Sequence, residues 1–323
     1  MQIRAFSKIN LILDIIRKRP DGYHDLRSVM QTLALHDTVT ITTQAEDGQT
    51  KGLDRFYPKK QPIKNTQNVH IIHNSNSSAD NNDNFILTCD DPKLPTDHRN
   101  LVTQAARYMM QEYNITQPIR IHLEKRIPQA AGLAGGSSDC AATLAGFNTL
   151  FNLNIPLHSS NQSPTSLTAI GQRFGADVPF CLLGGTALAE GIGEILTPLP
   201  SHPHCWVLLV CPDIHVSTRE IFEKCKPPIA SFTNIERMKQ ALSQGDLQGI
   251  AANLSNDLTY VTAKLHPQIN DIIREMKAIG AIGATMSGSG PSVFGYFNNK
   301  DIAEKAYKAL ENIPGRVFLT EIM

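Results

Sequence analysis

Pro128-Gln129-Ala130-Ala131-Gly132-Leu133-Ala134-Gly135-Gly136-Ser137-Ser138-Asp139 is the stretch on which the reading of the fold turns. Before it, Ile119, Ile121 and Leu123 alternate as in a strand. After it, an alanine-rich run predicts a helix from about Ser137 to Phe151. A glycine-rich loop between strand and helix lets the main chain approach an anion without side-chain collision. Its N–H groups can turn inward, and the helix N-terminus behind them adds positive potential. Ser137 and Ser138 can bond phosphate or cap the helix. The spacing is neither that of a Walker A loop nor of a Gly-x-Gly-x-x-Gly dinucleotide fingerprint. A plain strand-to-helix turn remains open on this stretch alone.

Outward on the N-terminal side, Leu101, Ala105, Tyr108 and Met109 mark one helix face. Ile9 to Ile16 reads as a strand with apolar residues partly on both faces, Arg19-Pro20-Asp21-Gly22 as a turn, and Leu33 to Thr42 as another strand. Residues 45–84 are polar and rich in Asn, Lys and Gln, which predicts an elaborated loop or insertion. On the C-terminal side, Ser163-Pro164 predicts a helix start toward Phe174, and Cys205 to Cys211 a buried strand. Ser217-Thr218-Arg219-Glu220 has capping-box spacing. Helices are predicted near 233–243, 267–279 and 301–311, with a Gly/Ser loop at 287–290 and a strand from Val293 to Phe297. The mixture in both halves predicts an α+β fold. The expected domains are 1–185 and 186–323, divided in the Gly/Pro-rich region near 184–200.

Thirty basic residues balance thirty acidic ones among 323, which argues against broad attraction to nucleic acid or an anionic membrane. No apolar run reaches the ~20 residues of a membrane helix, and MQIRAFSKIN has no signal-peptide core, so a cytoplasmic protein is expected. The six cysteines form no Cys-x-x-Cys pair and read as small buried residues in a reducing compartment. His70 and His73 have a metal-like spacing, but Asn- and Ser-rich surroundings favour a solvated loop.

Two further stretches raise the phosphate reading above the plain turn. Ser7-Lys8-Ile9-Asn10-Leu11, followed by Arg19-Pro20-Asp21-Gly22-Tyr23-His24-Asp25-Leu26, lies near the N-terminus; Met286-Ser287-Gly288-Ser289-Gly290-Pro291-Ser292 lies near the C-terminus. With the central loop, in this order, they resemble the three motifs of the GHMP small-molecule kinases. Lys-Ile-Asn-Leu, Arg-Pro-Asp-Gly-Tyr-His and Gly175-Ala176-Asp177-Val178-Pro179-Phe180 resemble the branch that phosphorylates 4-diphosphocytidyl-2-C-methyl-D-erythritol on the non-mevalonate route to isopentenyl diphosphate. The resemblance covers nearly the whole chain except 45–84.

It implies a ribosomal protein S5 domain 2-like N-terminal domain, a ferredoxin-like C-terminal domain and an active site in the cleft between them. ATP would lie along residues 128–138, with its magnesium held mainly by phosphates and water and no dedicated metal residues. Asp177 resembles the catalytic carboxylate that accepts the proton of the attacking 2-hydroxyl, and Lys8 its cationic partner. Asn10, Tyr23, His24, Thr218 and Phe222 resemble substrate contacts, Tyr23 and Phe222 as faces for cytosine and His24 as a reader of its edge. Thr218 and Phe222 also fit a helix start and a core position. Lys125 reads as a nucleotide contact or as a surface lysine at a strand end. Ser7 stands where the family usually has alanine. Ala130 and Ala134 stand where it often has glycine, which is free of strain if φ stays negative there and strained if φ is positive. The expected partner is the small-molecule substrate, without nucleic acid or membrane, for a monomer or weak homodimer. Rival readings are a homoserine or mevalonate kinase, which would need no cytosine platform, a ligand sensor that has lost catalysis, and an RNA-binding module on an S5-like fold.

Overall fold

A computed structural model describes residues 1–43, 84–159, 165–226 and 233–323. The expected insertion, apart from Asn84, lies outside these residues, as do His70, His73 and Ser163-Pro164.

Two long strands, β1 (Gln2–Lys18) and β2 (His24–Thr43), pair antiparallel as the frame of a large sheet. Gly22 permits their tight connection: its φ is +89°, and its N–H donates to the Arg19 carbonyl at 3.1 Å. β3 (Phe85–Cys89), α1 (Leu101–Glu112) and β4 (Ile119–Glu124) follow. α1 starts where the Asn100 side chain accepts the Val102 N–H. Next come α2 (Gly135–Leu150), α3 (Leu167–Gln172), α4 (Val178–Leu183) and the hairpin β5 (Thr186–Gly191) and β6 (Ile195–Pro198). The far edge of β2 is long enough for two neighbours. Residues 38–43 pair with β4 and residues 26–31 with β5.

The chain then enters a second sheet through β7 (Trp206–Pro212). Five helices follow: α5 (Thr218–Lys224), α6 (Thr233–Gln244), α7 (Leu247–Ala252), then, after the short β8 (Ser255–Asn256), α8 (Leu258–Leu265) and α9 (Gln268–Ala278). β9 (Gly283–Met286), β10 (Val293–Phe297), α10 (Lys300–Leu310) and β11 (Gly315–Glu321) complete the chain. The second sheet has the order β11-β7-β10-β9 with every pair antiparallel, the order of a ferredoxin-like layer. β8 returns to the large sheet and pairs parallel with β1. The fold is thus two-domain and α+β.

Three sequence expectations shift. Strand pairing carries the large sheet past residue 185 to Pro198, so the change of sheet falls between β6 and β7. The glycines that marked this boundary region serve turns: Gly184, Gly185, Gly191 and Gly193 all have positive φ. α2 begins at Gly135, two residues before the expected Ser137. In α3 the observed N-cap is Ser166, which accepts the Ala169 N–H.

β1 is buried on both faces because layers cover both. Ala5, Val39 and Ile41 join Phe147, Leu144 and Met109 of the helices beneath the large sheet. Ile9, Leu11 and Leu33 join Val207, Leu209, Phe294 and Tyr296 of the second sheet. Burial of side chains of this size stabilises by about 1.5–3 kcal/mol each, before conformational entropy is set against it. The two sheets are therefore joined through one apolar interior.

Candidate active site

The glycine-rich stretch bends between Ile127 and α2, and three contacts from two segments fix it. Lys8 N–H donates to the Leu133 carbonyl at 3.1 Å, Ser287 Oγ to the Gly132 carbonyl at 2.9 Å, and Ser292 N–H to the Ala131 carbonyl at 3.3 Å. A Cβ on Gly132 would collide with the Ser287 carbonyl oxygen. The first and last of the three separated motifs thus clamp the middle one. Ala130 and Ala134 have φ of 49° and 57°, so both take the left-handed conformation in which alanine is strained. No side chain caps α2, whose first-turn N–H groups face the bend. Ser138 is buried and donates its hydroxyl to the Gly135 carbonyl, and Leu133 is in the core. Ser137 lines a cavity of about 570 Å³, together with Pro128 to Gly132, Ala134, Gly135 and Gly136.

Lys8 and Asp177 line the same cavity. β1 shifts register against β2 between Phe6 and Lys8 and again between Asn10 and Ile12. Such irregularities re-aim side chains, and these two bracket Lys8 and Asn10. Lys8 Nζ donates to Asn10 Oδ1 at 2.9 Å and lies 3.5 Å from Asp177 Oδ2. Asn10 Nδ2 donates to Ser28 Oγ at 2.7 Å, and Ser28 Oγ to the Ile12 carbonyl at 2.6 Å. This chain of buried bonds holds the ammonium in place. Asp177 precedes α4 without capping it, and its carboxylate stays one-third exposed to the cavity. Ser7, in place of the usual alanine, satisfies its hydroxyl on the Leu35 carbonyl at 2.8 Å.

Lys125 is not the surface lysine that its strand-end position left open. It is buried, and its Nζ donates to both Asp37 and Asp139. Asp37 also accepts the Arg126 and Ile127 N–H groups, which ties the end of β4 into the bend. Burial disfavours the Lys125 charge, but Asp139 and Asp37 outweigh it and raise its pKa. Burial, reinforced by Asp37 and opposed by Lys125, pushes the Asp139 carboxyl up. Sequence reading missed both carboxylates: neither belongs to a paired acidic pattern, and only the packing of α2 against β2 brings them to one cation. Lys125, Asp139, Leu94, Pro95, Asn100 and Leu101 line the cavity beside the bend, and the last four carried no motif signal.

At the opposite end Thr218 and Phe222 of α5 line the cavity, and Thr218 Oγ1 lies 2.9 Å from Ser289 Oγ. His24 is buried with its ring centroid 5.5 Å from that of Phe222, and its Nε2 has no hydrogen-bond partner among the described residues. Burial and then Lys18 lower the pKa of this imidazole, which leaves a neutral ring able to donate or accept. Tyr23 does not line the cavity; it is 61% exposed at the strand end. The ring beside His24 is that of Phe222, from a motif 198 residues later in the chain than Tyr23-His24 would require by adjacency alone.

The GHMP kinases N terminal domain family matches residues 100–185 and the GHMP kinases C terminal family residues 238–316. The 4-diphosphocytidyl-2-C-methyl-D-erythritol kinase of Lachnoclostridium phytofermentans is 42% identical over 308 residues, 95% of this chain and 91% of that protein. The enzyme of the same name from Caldicellulosiruptor bescii is 39% identical over 324 residues, 100% of this chain and 96% of its own. A crystal structure of 4-(cytidine 5'-diphospho)-2C-methyl-D-erythritol kinase superposes with a TM-score of 0.73 at 28% identity, covering 100% of this chain and 99% of the other.

Proposed function

Because the chain belongs to the GHMP kinases, on the branch of the 4-diphosphocytidyl-2-C-methyl-D-erythritol kinases, we infer that it moves the γ-phosphate of ATP to the 2-hydroxyl of that substrate. The observation that carries this reading is the Lys8–Asp177 pair, 3.5 Å apart in the cavity that the glycine-rich bend lines. Asp177 accepts the hydroxyl proton as the oxygen attacks phosphorus, and Lys8 stabilises the charge that develops on the reacting oxygens. Asn10 positions Lys8 and keeps it off the core.

The triphosphate lies against the N–H groups of the bend and the first turn of α2, and the purine end lies toward Leu94, Asn100 and Leu101. Lys125, already shared by two carboxylates, acts by holding that bend. Cytidine occupies the other end, where Phe222 offers a face, His24 an unsatisfied ring nitrogen, and exposed Tyr23 a second face. Thr218 binds the diphosphate or polyol next to Ser289. Magnesium would neutralise phosphate charge in such a transfer; Asp139 and Asp177 are the cavity carboxylates that could help the phosphates hold it, and among the described residues no cluster of three metal-binding side chains occurs. No helix among the described residues is long and apolar enough to cross a membrane. The reading is of a cytoplasmic enzyme, a monomer or weak homodimer, that acts on a small molecule; the balanced charge supports only the part of it that omits nucleic acid and membrane.

An ATP-consumption assay with 4-diphosphocytidyl-2-C-methyl-D-erythritol, homoserine and mevalonate as competing acceptors tests the reading. Turnover is expected with the first alone; preference for either of the others overturns it.

A further inference from the structure

We propose that Ile192, with Met30 and Ala176, forms a pocket that reads the methyl group on the carbon bearing the reacting hydroxyl. The inference rests on the proposed acceptor and on reaction at Asp177. In that substrate the methyl and the 2-hydroxyl share one carbon. Whatever position the hydroxyl takes between Asp177 and Lys8, the methyl is only two bonds from the reacting oxygen. Its binding surface must therefore belong to the wall immediately around the catalytic pair.

That wall is apolar on one side. Ala176 precedes Asp177 in the chain, and Met30 and Ile192 line the cavity with it. Gly193 connects them: a Cβ built on it would lie 3.8 Å from Met30 Cε and 3.9 Å from Ala176 Cβ. The β5–β6 turn thus folds over Met30 and Ala176 and presents Ile192 at its tip. Met30 and Ala176 are tied to the fold, Met30 in a buried cluster with Phe180, Ala187 and Ala189 and Ala176 by its place beside Asp177. Ile192 is different. Among the described residues it belongs to none of the buried clusters, it is half-buried at the tip of a turn, and a contact that fixes the turn there is made by its backbone N–H with Glu194 Oε2 at 2.7 Å. A branched apolar side chain that lines the catalytic cavity without joining a core cluster among the described residues is available to a ligand. A methyl group in van der Waals reach is such a ligand.

The test compares two acceptors, 4-diphosphocytidyl-2-C-methyl-D-erythritol and the same molecule lacking the methyl, on the unsubstituted protein, Ile192→Ala and Ile192→Val. The quantity read is the ratio of kcat/KM for the methylated acceptor over the des-methyl one. The difference in reactivity between a tertiary and a secondary alcohol cancels when ratios are compared between proteins, as does any loss of folded protein within one preparation. Ile192→Ala should lower the ratio about 5- to 20-fold and Ile192→Val by less. A ratio that is unchanged, or that rises, overturns the pocket, even if both individual rates fall. If the unsubstituted protein phosphorylates neither acceptor, the proposed function itself fails and the pocket with it.

Discussion

A carboxylate that accepts a proton must be reachable, while the cation that steadies it must not wander. Asp177 is one-third exposed to the cavity, whereas Lys8 is buried and bonded to Asn10. This division leads to the first prediction. Asp177→Asn keeps the shape and the Lys8 contact but removes the proton acceptor, so kcat should fall ~100- to 10,000-fold, while ATP affinity, measured by calorimetry, stays within a few-fold. Near-normal turnover of the Asn variant excludes the role. Tyr23 presents the converse case, an aromatic ring left in solvent beside a buried His24. Tyr23→Ala should weaken the diphosphocytidyl substrate roughly 5- to 150-fold, the cost of one base–aromatic stack, and leave ATP unaffected. Equal weakening of both ligands in calorimetric titrations would show that Tyr23 does not read cytosine.

At the level of elements, β4, β2 and α2 meet in one buried ion cluster. Lys125 lies just past β4, Asp37 in β2 and Asp139 in α2, and both carboxylates depend on the one ammonium to offset their loss of water and their mutual repulsion. Lys125→Met should destabilise the fold by about 3–5 kcal/mol near neutral pH, because two carboxylates remain buried without a cation. The pH dependence has a definite sign. The pKa of Asp139 is already raised in the folded protein, so the stability tied to its protonated form is complete below the ordinary carboxylate range and is lost as pH rises through the raised value. Removing the cation raises it further. The deficit of Lys125→Met should therefore shrink in urea melts at pH 5 relative to pH 8; a deficit independent of pH would mean that lost packing, not uncompensated charge, is responsible.

For the whole molecule, the decisive contact is where the bend meets the loop after β9. Gly132 fits because it has no Cβ and because its φ is +75°. Asn256 of β8 supports the far side, donating from Nδ2 to the Met286 and Gly288 carbonyls at 2.8 Å each. Gly132→Ala should force the two motifs apart, lowering stability by about 1–3 kcal/mol and weakening ATP. Denaturant melts and nucleotide titration check both. Wild-type behaviour in the two assays would show that the clamp is dispensable.

The sequence by itself determined the elements whose cause is local. β10 runs from Val293 to Phe297 as its apolar run predicts, and the Ser217 cap opens α5 where Ser-x-x-Glu places it. The order of three short motifs sufficed to point to the family; that resemblance, with the further match at 175–180, named Lys8, Asn10, Asp177, Thr218 and Phe222, all of which line one cavity. Tertiary structure decided what depends on partners distant in the chain. The Gly/Pro-rich stretch near 184–200 reads as a domain boundary until β2 offers an edge to β5. A lysine at 125 reads as a nucleotide contact or a surface residue until two carboxylates, 88 and 14 residues away, are brought to it. Left-handed Ala130 and Ala134 run against local preference, and contacts from β1 and the 287–292 loop hold the bend that contains them. Local propensity is worth about 1 kcal/mol per residue, and the many long-range contacts of a folded core outweigh it at the positions where function needs an unusual geometry.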